Sequence, residues 1–213
     1  MEVDFPAGRV SLSGDLEIPE GASGVVAFAH GSGSGRFSPR NRQVAAALQD
    51  RSFATLLMDL LTEEEEVVDR STGQLRFDIG LLSERMVHSV DWLTREKPLA
   101  RTPLPVGLFG ASTGAGAALV AAAERPDTVR AVVSRGGRPD LAADVLASVR
   151  APTLLIVGGN DPIVIDLNRR AIARMTTETA LEVVPGATHL FEEPGALEEV
   201  ARLAGDWFER YLA

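Results

Sequence analysis

The chain has 213 residues, 45% of them hydrophobic, enough for one domain that buries about 70% of its unfolded surface. Its 21 Lys and Arg against 30 Asp and Glu leave a net charge of −9, which repels nucleic acid and anionic membranes and removes both from the expected partners. There is no cysteine, so disulfides, thiolate metal sites and a thiol nucleophile are excluded.

The N-terminus, MEVDFPAGRV, has no basic patch leading into an apolar core, and no apolar run approaches the ~20 residues of a membrane span. The expectation is a cytoplasmic protein whose residues 1–213 form one domain. Residues Val10–Ile18 alternate apolar and polar after a Pro-Ala-Gly turn, which predicts an antiparallel hairpin with residues 2–5. VVAFAH (25–30) is apolar on nearly every position and opens into the glycine loop His30-Gly31-Ser32-Gly33-Ser34-Gly35. Helical spacing follows over Arg40–Leu48, then a second buried strand, FATLLMDL (53–60). The acidic run at 63–66 reads as a solvated loop or a helix start. Ile79–Leu93 places Ile79, Leu82, Met86, Val90 and Leu93 on one helical face.

Beyond it the strand LPVGLFG (104–110) runs into Gly110-Ala111-Ser112-Thr113-Gly114, and a helix of small apolar residues covers Ala115–Ala123. The remaining predicted elements are a strand at 129–134, a helix at Asp140–Val149, a strand at 152–159, a helix at Asp166–Met175, a strand at 180–184 and a helix over Pro194–Leu212. Strands that are apolar throughout are buried on both faces, as in parallel sheets. Their alternation with helices predicts an α/β architecture with right-handed crossovers.

Gly110–Gly114 fits G-x-S-x-G in the strand-turn-helix context that a nucleophile elbow requires. There the glycines give room where strand and helix nearly collide, and the serine is held at the strand's carboxyl edge near free helix N–H groups. The other reading of Ser112 is a helix N-cap. A serine hydroxyl needs a base, and the base an orienting acid. Of three histidines, His88 lies within a helix and His30 shapes the glycine loop, whereas His189 follows the last strand in the loop PGATHLF. Asp161, in GGNDPIV, follows a strand and precedes His189; Asp166 and Asp140 are weaker substitutes, and a turn role remains for Asp161. The order Ser112, Asp161, His189 is the one α/β-hydrolases use. The oxyanion hole falls to the backbone N–H of Thr113 and to one from the glycine loop, best guessed as Ser32. Arg36, Arg76, Arg135 and Arg138 are candidates for a rim that favours anionic acyl groups.

Neither glycine loop has the pattern of a phosphate cradle, and the dispersed histidines offer no metal motif, so no cofactor is expected. With HGSGSG, GASTG, GGNDPIV and GATHLF in order, the chain resembles the α/β-hydrolase superfamily over nearly its whole length. The stretch HGSGSGRFSPRN and the compact size resemble the dienelactone-hydrolase-like branch. That resemblance implies a central, mostly parallel sheet of about eight strands with helices on both faces, and hydrolysis of carboxylic esters or lactones. Dienelactone hydrolases proper use a cysteine where this chain has Ser112. The short span between Ser134 and Pro152 leaves no room for a lid domain, which predicts an open site. The expected partner is a small-molecule ester, and the oligomeric state is not legible. Two rival readings are a thioesterase or acyltransferase on the same triad, and a non-catalytic ligand-binding protein on a hydrolase scaffold.

Overall fold

A computed structural model describes residues 1–95 and 103–213. Eight strands form one sheet in the order β1-β2-β4-β3-β5-β6-β7-β8. The N-terminal hairpin, β1 (Glu2–Ala7) and β2 (Val10–Glu17), pairs antiparallel from Glu2 opposite Asp15 to Ala7 opposite Val10. β2 then pairs antiparallel with β4 (Phe53–Met58). Everything beyond is parallel: β3 (Gly24–Ala29) lies between β4 and β5 (Val106–Ala111), followed by β6 (Val129–Arg135), β7 (Thr153–Gly158) and β8 (Thr179–Val184). β3, β4, β5 and β7 are buried at every position, as their unbroken apolar sequence predicts.

Two apolar layers hold the helices to the sheet. On one face α3 (Ile79–Arg95) and α4 (Thr113–Glu124) pack through Leu82, Met86, Val90, Ala117, Ala118 and Ala121. On the other, α1 (Pro39–Gln49) and α6 (Ala196–Leu212) pack through Val44, Leu48, Val200, Ala204 and Phe208. Phe208 reaches the start of β5, where a Cβ on Gly107 would lie 2.7 Å from its ring. Among the described residues no helix is long and apolar enough to cross a membrane.

Three segments differ from, or sharpen, the sequence expectation. The acidic run begins α2 (Glu63–Thr72): Thr62 and Glu65 form a capping box with bonds of 3.2 and 2.9 Å, and four glutamates in the first turn complement the helix dipole. The helix expected at 140–149 is instead a run of 3-10 turns over Pro139–Ser148, broken at Ala142. No side chain caps its start: the N-cap position holds Arg138, which has no acceptor to offer and instead donates to Asp140 through bonds of 2.8 and 2.7 Å. The helix expected from Asp166 starts earlier, as α5 (Pro162–Ile172), because Asp161 caps it and Pro162 fits the first helical position.

Candidate active site

The carboxyl ends of β3, β5, β6, β7 and β8 gather the chemistry-bearing residues at one edge. At the end of β5 the backbone turns sharply into α4. Cβ atoms on Gly110 and Gly114 would lie 2.4 Å from Ala115 Cα and 2.3 Å from the Ala29 carbonyl oxygen, so only glycine fits either position. Ser112 sits at the corner with φ 50° and ψ −118°, a strained conformation costing about 1–3 kcal/mol. Three backbone bonds hold it there: Ser112 N–H to the Arg135 carbonyl, and Ala115 and Arg138 N–H to the Ser112 carbonyl, each 3.1 Å. At about 0.5–1.5 kcal/mol net apiece, they are large enough to offset the strain. Ser112 occupies the N-cap position of α4, yet its side chain makes no capping bond.

Its hydroxyl lies 3.2 Å from His189 Nε2, and His189 Nδ1 lies 2.7 Å from Asp161 Oδ2. The other Asp161 oxygen accepts Val164 N–H at 3.4 Å, so the carboxylate starts α5 and holds the imidazole at once. The loops carrying Asp161 and His189 are tied together: Asn160 N–H donates to the Ala187 carbonyl at 2.9 Å and its side chain to the Gly186 carbonyl at 2.8 Å. Phe191, two residues beyond the histidine, anchors that loop. Its φ of 57° is strained, while burial of its ring contributes about 1.5–3 kcal/mol in compensation. The structure therefore brings together Ser112, Asp161 and His189. Asp166 is placed elsewhere, on the exposed side of α5 with Arg170, and Asp140 is held by Arg138.

The glycine loop lies against the serine: a Cβ on Gly31 would be 3.3 Å from Ser112 Cβ. Thr113 is the first residue of α4, where helix N–H groups lack intrahelical acceptors. Among the described residues neither the Thr113 nor the Ser32 N–H has a backbone acceptor. Two cavities meet at this loop. A wide cleft of about 1030 Å³ runs from Thr113 and the loop to Asp59, α2 and Arg76. A narrower chamber of about 150 Å³ contains Ser112 and His189 themselves, with Ser32, Arg40 and Arg135 in its wall. Among the described residues no lid domain covers them, but α2 and the segment after it form one wall of the wide cleft, a wall the sequence does not reveal.

His30 is a positioning element. Its Nδ1–H donates to the Gly31 carbonyl at 2.9 Å and its Nε2 accepts Leu60 N–H at 3.0 Å, joining the end of β3 to the loop after β4. Burial drives its pKa below 6.5; the Gly31 bond and the charges of Asp59 and Glu66 pull the other way without prevailing. The unfolded chain thus takes up the proton first. The stability this residue contributes is complete above about pH 6.5 and is lost as pH falls from there through the folded value. Melting temperatures between about pH 7.5 and about pH 5 should fall toward acid, and less steeply in His30→Gln. Equal slopes in the two proteins would exclude this assignment. His88, by contrast, stands on the partly exposed side of α3, 3.7 Å from Glu84.

The four candidate rim arginines separate sharply. Arg36 pairs with Glu2 at 2.7 Å and Asp59 at 3.5 Å, Arg76 with Asp69 at 2.6 Å, and Arg138 with Asp140 at 2.7 Å. Arg135 is only 6% exposed, and among the described residues it has no ion-pair or hydrogen-bond partner; its guanidinium lies 5.9 Å from the Phe191 ring centre. Burial, and then the like charge of Arg40, push its pKa down to about 10, which still leaves it protonated at neutral pH. Arg40, the other cation of the chamber, was missed by the sequence reading; it reaches Glu192 at 3.2 Å, and among the described residues its buried Nε has no partner. Its only sequence signal is a basic residue in the first turn after the glycine loop.

Sheet order, the strained serine corner and the sites at the strands' carboxyl ends define an α/β-hydrolase fold. The dienelactone hydrolase family model matches residues 14–212, and the chain belongs to that family. A dienelactone hydrolase from Anabaena variabilis superposes with a TM-score of 0.97 at 60% identity, covering 100% of this chain and 98% of that one. Est1E from Butyrivibrio proteoclasticus, in a structure with bound ferulic acid, shares the fold at a TM-score of 0.81 and 14% identity, over 98% of each chain. A Mycobacterium tuberculosis protein whose name proposes a phosphoribosyl transferase is 59% identical over 211 residues. That match covers 99% of this chain and 46% of the relative, so the chain spans about half the length of the curated relatives it matches.

Proposed function

We propose that this member of the family is a serine hydrolase that cleaves carboxylic esters or lactones through an acyl-enzyme. The observation that carries the reading is the continuous chain of bonds Asp161 Oδ2 to His189 Nδ1 at 2.7 Å and His189 Nε2 to Ser112 Oγ at 3.2 Å. With Nδ1–H donated to Asp161, the free Nε2 lone pair accepts the serine proton as Oγ bonds to the substrate carbonyl carbon. The carbonyl oxygen becomes an oxyanion, which the N–H groups of Thr113 and Ser32 stabilise together with the N-terminus of α4. Collapse of the tetrahedral intermediate breaks the bond to the alcohol oxygen, which takes the proton from Nε2. Water, deprotonated in turn by Nε2, attacks the acyl-enzyme and releases the acid and the free serine. Asp161 stays ionised throughout and balances the transient imidazolium.

The mycobacterial relatives' name describes chains about twice as long, and ester cleavage is proposed only for the part represented here. A fluorophosphonate probe, which phosphonylates an activated serine, should label the protein at Ser112, and Ser112→Ala should abolish labelling. A folded, unlabelled protein would favour a ligand-binding role instead. His189→Ala should likewise leave Ser112 unlabelled, because without the imidazole no group accepts the serine proton. Labelling of His189→Ala at the wild-type rate would remove His189 as the base.

A further inference from the structure

Two backbone segments meet behind the triad, and one buried side chain joins them. The first is the link out of β6, residues 136–138. A Cβ on Gly136 (φ 53°) would stand 3.1 Å from the His189 carbonyl oxygen and 3.5 Å from ring atoms Cε1 and Nδ1, so this residue backs the imidazole. Arg138 N–H donates to the Ser112 carbonyl at 3.1 Å, so the same link also holds the nucleophile's corner. Between them a Cβ on Gly137 would overlap Ser134 Oγ and lie 2.7 Å from Ala115 Cβ, which shows the link packed tightly against β6 and α4. The second segment is α5, capped by Asp161, the carboxylate that holds His189.

Asn168 lies about two turns further along the same face of α5 and is 0% exposed. Its amide nitrogen donates to the Val164 carbonyl at 2.7 Å and to the Gly137 carbonyl at 3.0 Å. Both partners are carbonyl oxygens, so the NH2 end is the one that faces them. Among the described residues no other hydrogen bond joins α5 to residues 136–138. Asparagine is a poor choice for the buried face of a helix: its helix propensity is low, and its neighbours on that face, Val164 and Ala171, are apolar. Its Oδ1 has no partner among the described residues, and an unpaired buried polar atom is destabilising. Leucine would suit the helix better, and the one thing it cannot supply is the bond to Gly137.

We propose that Asn168 is a positioning residue for the triad: by bonding Gly137 it fixes the helix that carries Asp161 against the link that backs His189 and Ser112. This role rests on the hydrolase reading and adds to it a residue that acts only through the other three. The lever is short. Asp161 Oδ1 accepts Val164 N–H and the Val164 carbonyl accepts Asn168, so amide and carboxylate share one frame within the helix. A shift of α5 moves Asp161, and the imidazole follows through its 2.7 Å bond. The Nε2 to Oγ contact, at 3.2 Å, already stands at the long end of the hydrogen-bond range and tolerates little further displacement. A misplacement of about 1 Å costs on the order of 10²-fold in rate.

The test measures kcat and KM on p-nitrophenyl acetate, with the rate and end point of fluorophosphonate labelling, in the wild type, Asn168→Leu and Asn168→Ser. A serine hydroxyl there still bonds the Val164 carbonyl within its own helix but is too short to reach Gly137, so it isolates the tie between the segments. Both variants should lose about 10- to 100-fold in kcat, with KM within about twofold of the wild type, because acylation and deacylation both use Nε2 and slow together. Labelling should reach the wild-type end point at a rate lowered by a similar factor. A merely structural role gives the opposite pattern, fewer sites labelled with each turning over at the wild-type rate, and that result overturns the proposal. Wild-type kcat in either variant overturns it too. Should Asn168→Leu fail to fold, Asn168→Ser carries the same readouts. A wild type that neither labels nor hydrolyses any ester sinks the hydrolase reading, whereas a labelled, active wild type with unimpaired variants sinks the positioning role alone.

Discussion

Replacing Ser112 with alanine should lower kcat on p-nitrophenyl acetate by about 10⁴–10⁶-fold while leaving the melting temperature unchanged or raised. The activity loss follows from the geometry of one atom. Oγ lies 3.2 Å from His189 Nε2, and among the described residues it is the hydroxyl hydrogen-bonded to that nitrogen. The stability expectation follows from the same corner, since the Ser112 side chain makes no helix-capping bond whose loss would matter. His189→Ala should cost a comparable factor, and the double variant little more than either single one, because residues of such a unit act together. A loss below about tenfold in Ser112→Ala would refute the mechanism, and additive losses would refute the coupling between the two residues.

How far the sequence reaches depends on whether a feature is local. The elbow is local: strand, glycines and serine are adjacent in GLFGASTGAG, and the steric demand that selects Gly110 and Gly114 acts between neighbours and the next strand. The buried parallel strands were legible for the same reason, as uninterrupted apolar runs. Helix starts were less so. Asp161 is legible in sequence as the acid for His189, but the helix after it is expected only from Asp166, because a pattern search finds the first periodic apolar residue and overlooks that the same carboxylate also caps a helix. The segment Pro139–Ser148 has helical spacing in sequence, and nothing in its composition reveals the break at Ala142 that leaves it a run of 3-10 turns.

The arginines mark the deeper limit. Arg36, Arg76, Arg135 and Arg138 are equivalent in sequence, and only the pairing of carboxylates across the fold distinguishes them. Asp59, Asp69 and Asp140 neutralise three of the four, while the register that sets Arg135 opposite Ala111 carries the fourth into the nucleophile's chamber. Charge balance is a tertiary property. The wide cleft illustrates it too: α2, recognised in sequence only as an acidic run, supplies Glu63, Glu64 and Glu66 to one wall, so the molecule presents an acidic cleft and a cationic chamber on either side of the glycine loop.

Gly114→Ala should destabilise the protein by about 2–4 kcal/mol, although helix propensity alone predicts a gain of about 1 kcal/mol for the same change. Gly114 lies in the first turn of α4, an ordinary place for alanine, but its Cβ would stand 2.3 Å from the Ala29 carbonyl oxygen and 2.5 Å from that of His30. Both obstacles are backbone, so no rotamer change relieves them; β3 and α4 must separate. That movement displaces Gly31, which rests against Ser112, and with it the loop proposed to hold the oxyanion. For a chain of this size each kcal/mol shifts the melting temperature by about 2–4 °C, so the expected fall is roughly 5–15 °C, accompanied by a lower kcat in the protein that remains folded. Gly80→Ala provides the contrast. It lies near the start of α3, where a Cβ meets only the Asp78 side chain at 3.3 Å, and there propensity should prevail. If the two substitutions shift the melting temperature alike, the elbow is not held by backbone contact, and the placement of Ser112 needs another cause.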